Sequence, residues 1–340
     1  MRNIIATWIC IDEKKLSSHF PSAKGNSADV SVQKIYWRCV CTFFYTARYN
    51  NPDACLVLFS NNKQLPIVAD IDISELLSKL DVHFYDTPFE FVTPLDYYCG
   101  WRNQFYEFSI FKFVSNHSDF HDEDNFLLLD SDCIIADNLS LVFKSIQKNG
   151  CITYVIDYDA NQKINGISRR DMRFIFQELA SKKILQFPAY HGGEFYASTI
   201  QMVKTMMADF YIVWPQLLKR NMMGLEKLNE EAHVLSYLFY KNGIDGGEAN
   251  GFVKRLWTDP TNFRNVDIND AHLLVWHLPA EKRRGFKIFF YWLKSIGFDL
   301  TAVNRQTFQQ RIQKTFLIPN IPMQNKPYYA TKFLLKKIFG

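Results

Sequence analysis

In the stretch "NFLLLDSDCIIADNL", residues 125–139, four apolar residues run straight into two carboxylates, Asp130 and Asp132, set one residue apart. A run such as Phe126-Leu127-Leu128-Leu129 reads as a strand buried on both faces, so its last residues emerge where the interior of a sheet ends. Two acids placed there need a counter-charge. Oxygen ligation at a strand end suits a hard divalent cation, Mg²⁺ or Mn²⁺, which would neutralise both. Capping or surface acids are the plainer reading, and the buried strand in front of the pair weighs against it.

Three later segments carry further groups that could do chemistry. "AYHGGEFYAS", 189–198, holds His191; "LNEEAHVLSYLFY", 228–240, holds Glu230, Glu231 and His233; "LVWHLPAEKRRGF", 274–286, holds His277 and, five residues on, Lys282. Each has an ordinary explanation. Acids in a first helical turn are stabilised by the helix dipole, His191 reads as a core histidine, and His277 as a loop histidine beside a basic patch. Their order behind an acid-tipped strand favours function.

The pattern Asp130-Ser131-Asp132 after an apolar strand resembles the D-x-D of nucleotide-sugar glycosyltransferases of the GT-A fold. There the acids hold a divalent ion on the donor diphosphate, which makes Ser131 a donor-site neighbour. The segments around His191 and Glu231 resemble two of the retaining blood-group and α-1,3-galactosyltransferase family. Tyr190, His191 and Phe195 match its Tyr-His-x-x-x-Phe, while Glu230, Glu231, His233 and Tyr237 match its acidic helix start. Departures are Asn229 for a His, Glu230 for an Asp and Leu235 for an Asn. The resemblance implies that Glu231 lies beneath the reacting anomeric carbon and that His191, Glu230 and His233 face the acceptor. His277 and Lys282 are similar to the His-x-x-x-x-Lys element of the glycogenin and lipopolysaccharide galactosyltransferase group. That likeness implies His277 as third metal ligand and Lys282 on the diphosphate; an imidazole among carboxylates suits Mn²⁺ better than Mg²⁺.

These groups need a scaffold, and the first half of the chain supplies its signals. Strand-like runs at 3–10, 54–60, 81–85 and 126–130 alternate with helix-length segments at 31–49, 70–79 and 101–116. That alternation predicts an α/β fold, a Rossmann-like, mostly parallel sheet flanked by helices, with ligands outside the carboxyl ends of its strands. Position alone makes Thr7, Trp8 and Ile9, at the end of the first strand, a shelf for the nucleotide base. Arg102, opening the helix before the D-x-D strand, is placed to steady an aspartate or phosphate. The second half reads as strands at 150–157 and after 193, then a helix with acids in its first turn and a glycine stop at Gly243. No linker divides the chain, so the expected organisation is a GT-A catalytic domain over 1–285 and an aromatic, basic C-terminal extension over 286–340.

Composition excludes more than it selects. With 340 residues, 48% hydrophobic and 22% charged, the chain can bury a large core, and its net charge of +4 does not imply nucleic acid. Seven scattered cysteines without a CxxC pair fit reduced thiols in the cytoplasm. No apolar run is long enough to span a bilayer, and the start "MRNIIATWICIDEKK" reads as a strand rather than a signal peptide. The bases gather among aromatics in "EKRRGFKIFFYWLKSIGF" and "KPYYATKFLLKKIFG". Lys332, Lys336 and Lys337, with Phe333, Leu334, Leu335, Ile338 and Phe339, fit a helix lying on an anionic membrane surface, at the inner face of a membrane. The segment 286–298 fits that role or a helix packed on the domain equally well.

These readings converge on a metal-dependent hexosyltransferase that moves a sugar from a UDP-linked donor to a glycan or lipid-linked saccharide, with retention. Double displacement through Glu231 and front-face attack both remain open. An inverting enzyme with Glu231 or Glu194 as base is the nearest alternative. An aspartyl phosphotransferase would carry its D-x-D on the first strand, and a nucleotidyltransferase would carry glycines in "ATWICIDEKK". A non-catalytic glycan-binding or membrane-surface protein is the alternative of another class.

Overall fold

The computed structural model describes residues 1–20, 23–100 and 102–339, without side-chain detail at 338 and 339. Along the chain come β1 (Asn3–Ile9), α1 (Val30–Asn50), β2 (Cys55–Ser60), α2 (Ile73–Lys79), β3 (Val82–Asp86) and α3 (Tyr106–Asn116). Then follow β4 (Asn125–Leu129), β5 (Cys133–Ile135), α4 (Ser140–Asn149), β6 (Cys151–Val155), α5 (Arg169–Ala180), β7 (His191–Thr199), α6 (Ile200–Met222) and α7 (Glu231–Lys241). The last part holds β8 (Val253–Arg255), β9 (Val275–His277), α8 (Gly285–Ser295), α9 (Arg305–Phe316) and α10 (Lys326–Phe339).

A central sheet has the order β6-β7-β4-β1-β2-β3. Its members β3, β2, β1 and β4 run parallel, as the alternation of strands and helices requires, whereas β7 is antiparallel to both β4 and β6. All of β4 is buried, because helices cover both of its faces. The apolar sides of α1 and α4 share one core cluster with Ile5, Leu56 and Leu127, and α3, α6 and α7 pack on the other side with Ile4, Val57 and Leu128.

A second sheet of three short strands, β8-β9-β5, begins where β4 ends. Between β4 and β5 the chain makes one tight turn over Asp130–Cys133, closed by Cys133 N–H donating to the Asp130 carbonyl at 3.0 Å. The D-x-D is thus the hinge between two sheets. The segment 286–298 packs its aromatic face inward: Phe286, Phe289, Phe290 and Leu293 of α8 join Val40 and Trp276 in the first core. Each such side chain contributes roughly 1.5–3 kcal/mol through burial.

Candidate active site

Strand pairing brings the charged groups together before any side chain is considered. In the second sheet His277 lies opposite Cys133 on one side and Arg255 on the other, and Leu278 N–H donates to the Asp132 carbonyl at 3.0 Å. In the central sheet Phe195 pairs with Leu129, so the next residues meet: Asp130 N–H donates to the Glu194 carbonyl at 3.2 Å. Four short segments distant in sequence therefore converge on one turn.

Their side chains form a row of alternating charge. Arg255 donates to both oxygens of Glu194, at 2.7 and 2.5 Å. Glu194 Oε1 lies 3.0 Å from His277 Nδ1, and His277 Nε2 lies 3.2 Å from Asp132 Oδ2 and 3.7 Å from Asp130 Oδ2. Lys282 Nζ closes the row at 2.5 Å from Asp132 Oδ2. Burial works to lower the imidazole's pKa, but Asp132 and Glu194 outweigh it and raise it to about 9. For Asp132, Lys282 and His277 overcome burial and hold the carboxyl well below its usual range. Asp130, pushed up by burial and by Asp132, reaches about 6.

The cluster fits a divalent cation. One ligand atom from each of Asp130, Asp132 and His277 falls within 4.8 Å of the others. His277 Nε2 and Asp132 Oδ2 are buried and face each other at 3.2 Å, with Lys282 Nζ beside Asp132, paired by charge but without a well-aligned hydrogen bond, a pairing that a cation bound between them would replace. Glu194 on Nδ1 fixes the tautomer that leaves Nε2 free to ligate, the familiar carboxylate partner of a metal-bound histidine.

Two spaces open from this cluster. One is a slot lined by Trp8, Ile9, Tyr36, Asn103, Asp130, Ser131 and Asp132, with a volume of about 60 Å³. The other, about 350 Å³, is lined by Tyr190, Gly193, Glu230, Glu231, Arg255, Trp257 and His277. Gln104, Asp130 and Lys282 line both. Trp8 and Ile9 thus stand where the sequence places them, beside Ser131. Thr7 does not: its hydroxyl is buried and donates to the Leu129 carbonyl at 2.8 Å, tying β1 to the end of β4. Arg102 is likewise diverted. Its guanidinium donates to the Thr93 carbonyl at 2.6 Å and to Leu16, clamping loops away from the acid pair.

In the larger cavity Glu230 and Glu231 differ sharply. Glu230 is the N-cap residue of α7, yet its carboxylate does not cap. It accepts from Tyr190 Oη at 2.8 Å and from Asn165, with His233 Nε2 3.5 Å away. Glu231 Oε2 is buried without a partner, and burial together with Glu230 raises its pKa well above the usual carboxylate range. Two glycines make room. A Cβ at Gly193 would collide with Glu231 Oε1, and one at Gly192 with Glu194 Oε2.

The expected acceptor contacts divide. Glu230 lines the cavity, but His233 is fully buried beneath it, and His191 points away, with Nδ1 2.9 Å from Thr153 Oγ1 and its ring against Phe239 and Gly246. Burial lowers the pKa of His191 to about 4. Glu194 is unsuited to the base role, since Arg255 and His277 occupy its oxygens and, against the effect of burial, hold its pKa far below normal. Arg255, Gln104 and Trp257 carry no sequence signal of their own.

No family model matches the chain, and no curated protein matches it. Among solved structures it is similar to the galactosyltransferase LgtC in complex with donor and acceptor sugar analogs, at 12% identity over 95% of this chain and 99% of that one, with a TM-score of 0.47. It is also similar to mouse xyloside xylosyltransferase 1, at 11% identity over 82% and 97% of the two chains and a TM-score of 0.44. A third likeness is the glycosyltransferase GlyE of Streptococcus pneumoniae, at 11% identity over 91% and 62% and a TM-score of 0.42. Likenesses this loose concern the path of the chain; the chemistry rests on the cluster itself.

Proposed function

We propose that the chain is a metal-dependent glycosyltransferase of the GT-A type that moves a hexose from a UDP-linked donor to a hydroxyl of a glycan or glycolipid, with retention. The observation that carries this is the acid–imidazole cluster at the hinge between two sheets, where Asp130, Asp132 and His277 each bring one ligand atom within 4.8 Å of the others, beside a cavity lined by Glu231, whose Oε2 has no partner. Asp130, Asp132 and His277 would hold Mn²⁺, or Mg²⁺, and a cation bound there offsets the charge that grows on a departing diphosphate. Lys282 adds a fixed positive charge at the mouth shared by both spaces. Trp8 and Ile9 offer the base a shelf in the slot.

Glu231 faces the place where positive charge develops on the sugar, and Tyr190 and Asn165 hold Glu230 against it. Glu231 either attacks that centre or stabilises it while the acceptor enters from the same face. Its unpartnered oxygen and raised pKa also favour a second reading, an inverting reaction with Glu231 as base, which the anomeric configuration of the product separates by NMR. The test is a panel of nucleotide sugars with and without Mn²⁺, read by nucleotide release. UDP release that requires the metal supports the reading; no UDP binding, or turnover undiminished in excess EDTA, overturns it.

We also propose peripheral attachment to an anionic membrane at its cytoplasmic face. No helix among the described residues is long and apolar enough to cross a membrane. In α10 two lysines expected to face lipid turn inward: Lys332 pairs with Asp259, and Lys336 donates to Thr261 O and Asn262 Oδ1. The outer side instead shows Phe333, Leu334 and Leu335, about half exposed, with Lys337; the side chains of Ile338 and Phe339 lie outside the described residues. Lysines near such a surface contribute about 1 kcal/mol each and exposed apolar groups add comparable amounts, giving reversible attachment. Removing residues 328–340 should shift the protein from anionic vesicles to the supernatant. Equal sedimentation with and without the tail refutes the attachment.

A further inference from the structure

Beyond the cavity lies a groove of about 730 Å³, walled by the loop after β8, the turn before α8 and the first turns of α10. Trp257 lines both the groove and the cavity that holds Glu231, so the two spaces meet at that indole. The groove is rich in cations, and its acids are already spent. Asp259 is neutralised by Lys332. Glu281, also in the groove wall, is buried and accepts from Thr258 and from Gly285 N–H, with its oxygens turned to those donors.

Arg283 and Lys24 remain, exposed and without an ion pair among the described residues. Arg284 is half-buried, stacked 4.1 Å from the ring centre of Tyr328, and the one hydrogen bond of its guanidinium among the described residues goes to Tyr329 Oη. Stacking fixes the plane of a guanidinium while leaving its fork of N–H donors free, an arrangement suited to a phosphate or carboxylate. The flanking faces of Trp257 and Tyr328 suit the apolar side of a sugar ring.

We propose that this groove is an acceptor subsite for an anionic saccharide: a phosphate or carboxylate binds at Arg283 and Arg284, and the sugar passes Trp257 so that its accepting hydroxyl reaches Glu231. The direction of passage rests on the glycosyl-transfer reading; the anion preference does not. A neutral saccharide would leave these guanidinium groups without their partner, and sites built on fixed polar groups discriminate strongly against ligands that lack the complement. The anion can come from an acidic sugar residue or from the phosphate of a lipid carrier, and both present the same chemistry to the groove.

The full chain is titrated with glucose 1-phosphate and with methyl α-glucoside, in the presence of saturating UDP and Mn²⁺ so that the donor site is filled. The readout is the indole N–H resonance of Trp257, assigned by its loss in Trp257→Phe. The expected result is a shift of that resonance by glucose 1-phosphate at a concentration at least tenfold lower than by the glucoside. Arg283→Gln/Arg284→Gln should abolish the difference while still binding UDP with Mn²⁺, which shows that the variant is folded. Equal response to the two ligands, or an unchanged preference in the double variant, overturns the subsite. If UDP fails to bind the unaltered chain, the transferase reading falls, and the same titration without UDP still decides the anion preference. A parallel titration with alkyl glucosyl phosphate in micelles assigns the source: tenfold tighter binding points to a lipid carrier, equal binding to an acidic saccharide.

Discussion

Around Asp132 the charges alternate along Arg255, Glu194, His277, Asp132 and Lys282, whereas the strongest electrostatic neighbours of Glu231 are Glu230, Glu107 and Asp130, all acids. The first region is organised in advance: every side chain has a partner of opposite sign, Asp130 the most loosely, at 3.7 Å from His277 Nε2, and the cluster gathers where a cation fits. The second region is held in place by hydrogen bonds to Glu230 and leaves one carboxylate unsatisfied. A buried, unpartnered carboxylate weakens a fold. Its retention makes sense where positive charge arrives from outside, as it does on a sugar that is losing its leaving group.

The sharpest way to break this contrast is to neutralise the acid pair one member at a time. Asp130→Asn and Asp132→Asn should each lower metal-dependent transfer by about a thousandfold or more, as expected when charge stabilisation of the leaving group is lost. Their effects on the metal-free fold should have opposite signs. Asp132→Asn strands the buried Lys282 beside a neutral partner and should cost on the order of 3 kcal/mol. Asp130 is one-fifth exposed and has a pKa raised to about 6, so above that pH its charge weakens the fold. Asp130→Asn should therefore stabilise the metal-free protein by about 1 kcal/mol at pH 7.5. Thermal melts in EDTA check this; if both variants destabilise alike, the pair does not share one cation site in the way described.

Within the second region the two glutamates should separate function from stability. Glu231→Gln should lower the rate of transfer by about 10² to 10⁴, with UDP affinity changed only a few-fold, because its oxygen acts at the reacting centre. It should leave the fold as stable or more so. Glu230→Gln should affect the rate less and stability more, since Tyr190 and Asn165 lose a charged acceptor. The reverse ranking in either measurement would mean that the register taken from the sequence is off by one.

How far the sequence discloses this site depends on how local each signal is. β4 and its acids are legible because a four-residue apolar run and a strand end are contained within seven residues, and α1 and α7 because helical patterning extends over many. Arg255 is illegible because β8 is three residues long, too short for any period, and its meaning arises from pairing with His277 in a sheet that no sequence pattern announces. The antiparallel course of β7 is hidden for the same reason: direction is a property of the partner strand. Resemblance at His191 carries a residue type without its orientation: β7 pairs irregularly with β6 at this point, and the ring lies against Thr153 and Phe239.

A smaller effect sharpens the first region. Glu194→Gln keeps the shape of the side chain but removes the charge that orients His277. Mn²⁺ affinity, read by calorimetry or by the electron paramagnetic resonance of free Mn²⁺, should weaken about 10 to 100-fold, as for other carboxylates behind a ligating histidine. UDP affinity without metal should not change. Unaltered Mn²⁺ affinity would show that Glu194 serves only to anchor Arg255.

The smallest expected effect on transfer comes from setting two histidines side by side. His277 sits among carboxylates that raise its pKa to about 9, and His191, on the same strand as Glu194, sits among apolar groups that lower it to about 4. A base whose folded pKa lies below its unfolded value stabilises the fold fully above about pH 6.5. That contribution is lost as acid protonates the unfolded chain, through the window from 6.5 down to 4. The slope is about 1.4 kcal/mol per pH unit, on the order of 3 kcal/mol over the whole window. His191→Asn, which can still hydrogen-bond to Thr153, should flatten the stability profile over this range by that amount, measured by urea unfolding at several pH values. Because the ring lies behind β7 and outside both spaces, transfer at pH 7.5 and the acceptor KM should stay within twofold of the unaltered chain. A tenfold rise in acceptor KM would return His191 to the acceptor, as the family resemblance implies, and would require β7 to present the opposite face when substrate is bound.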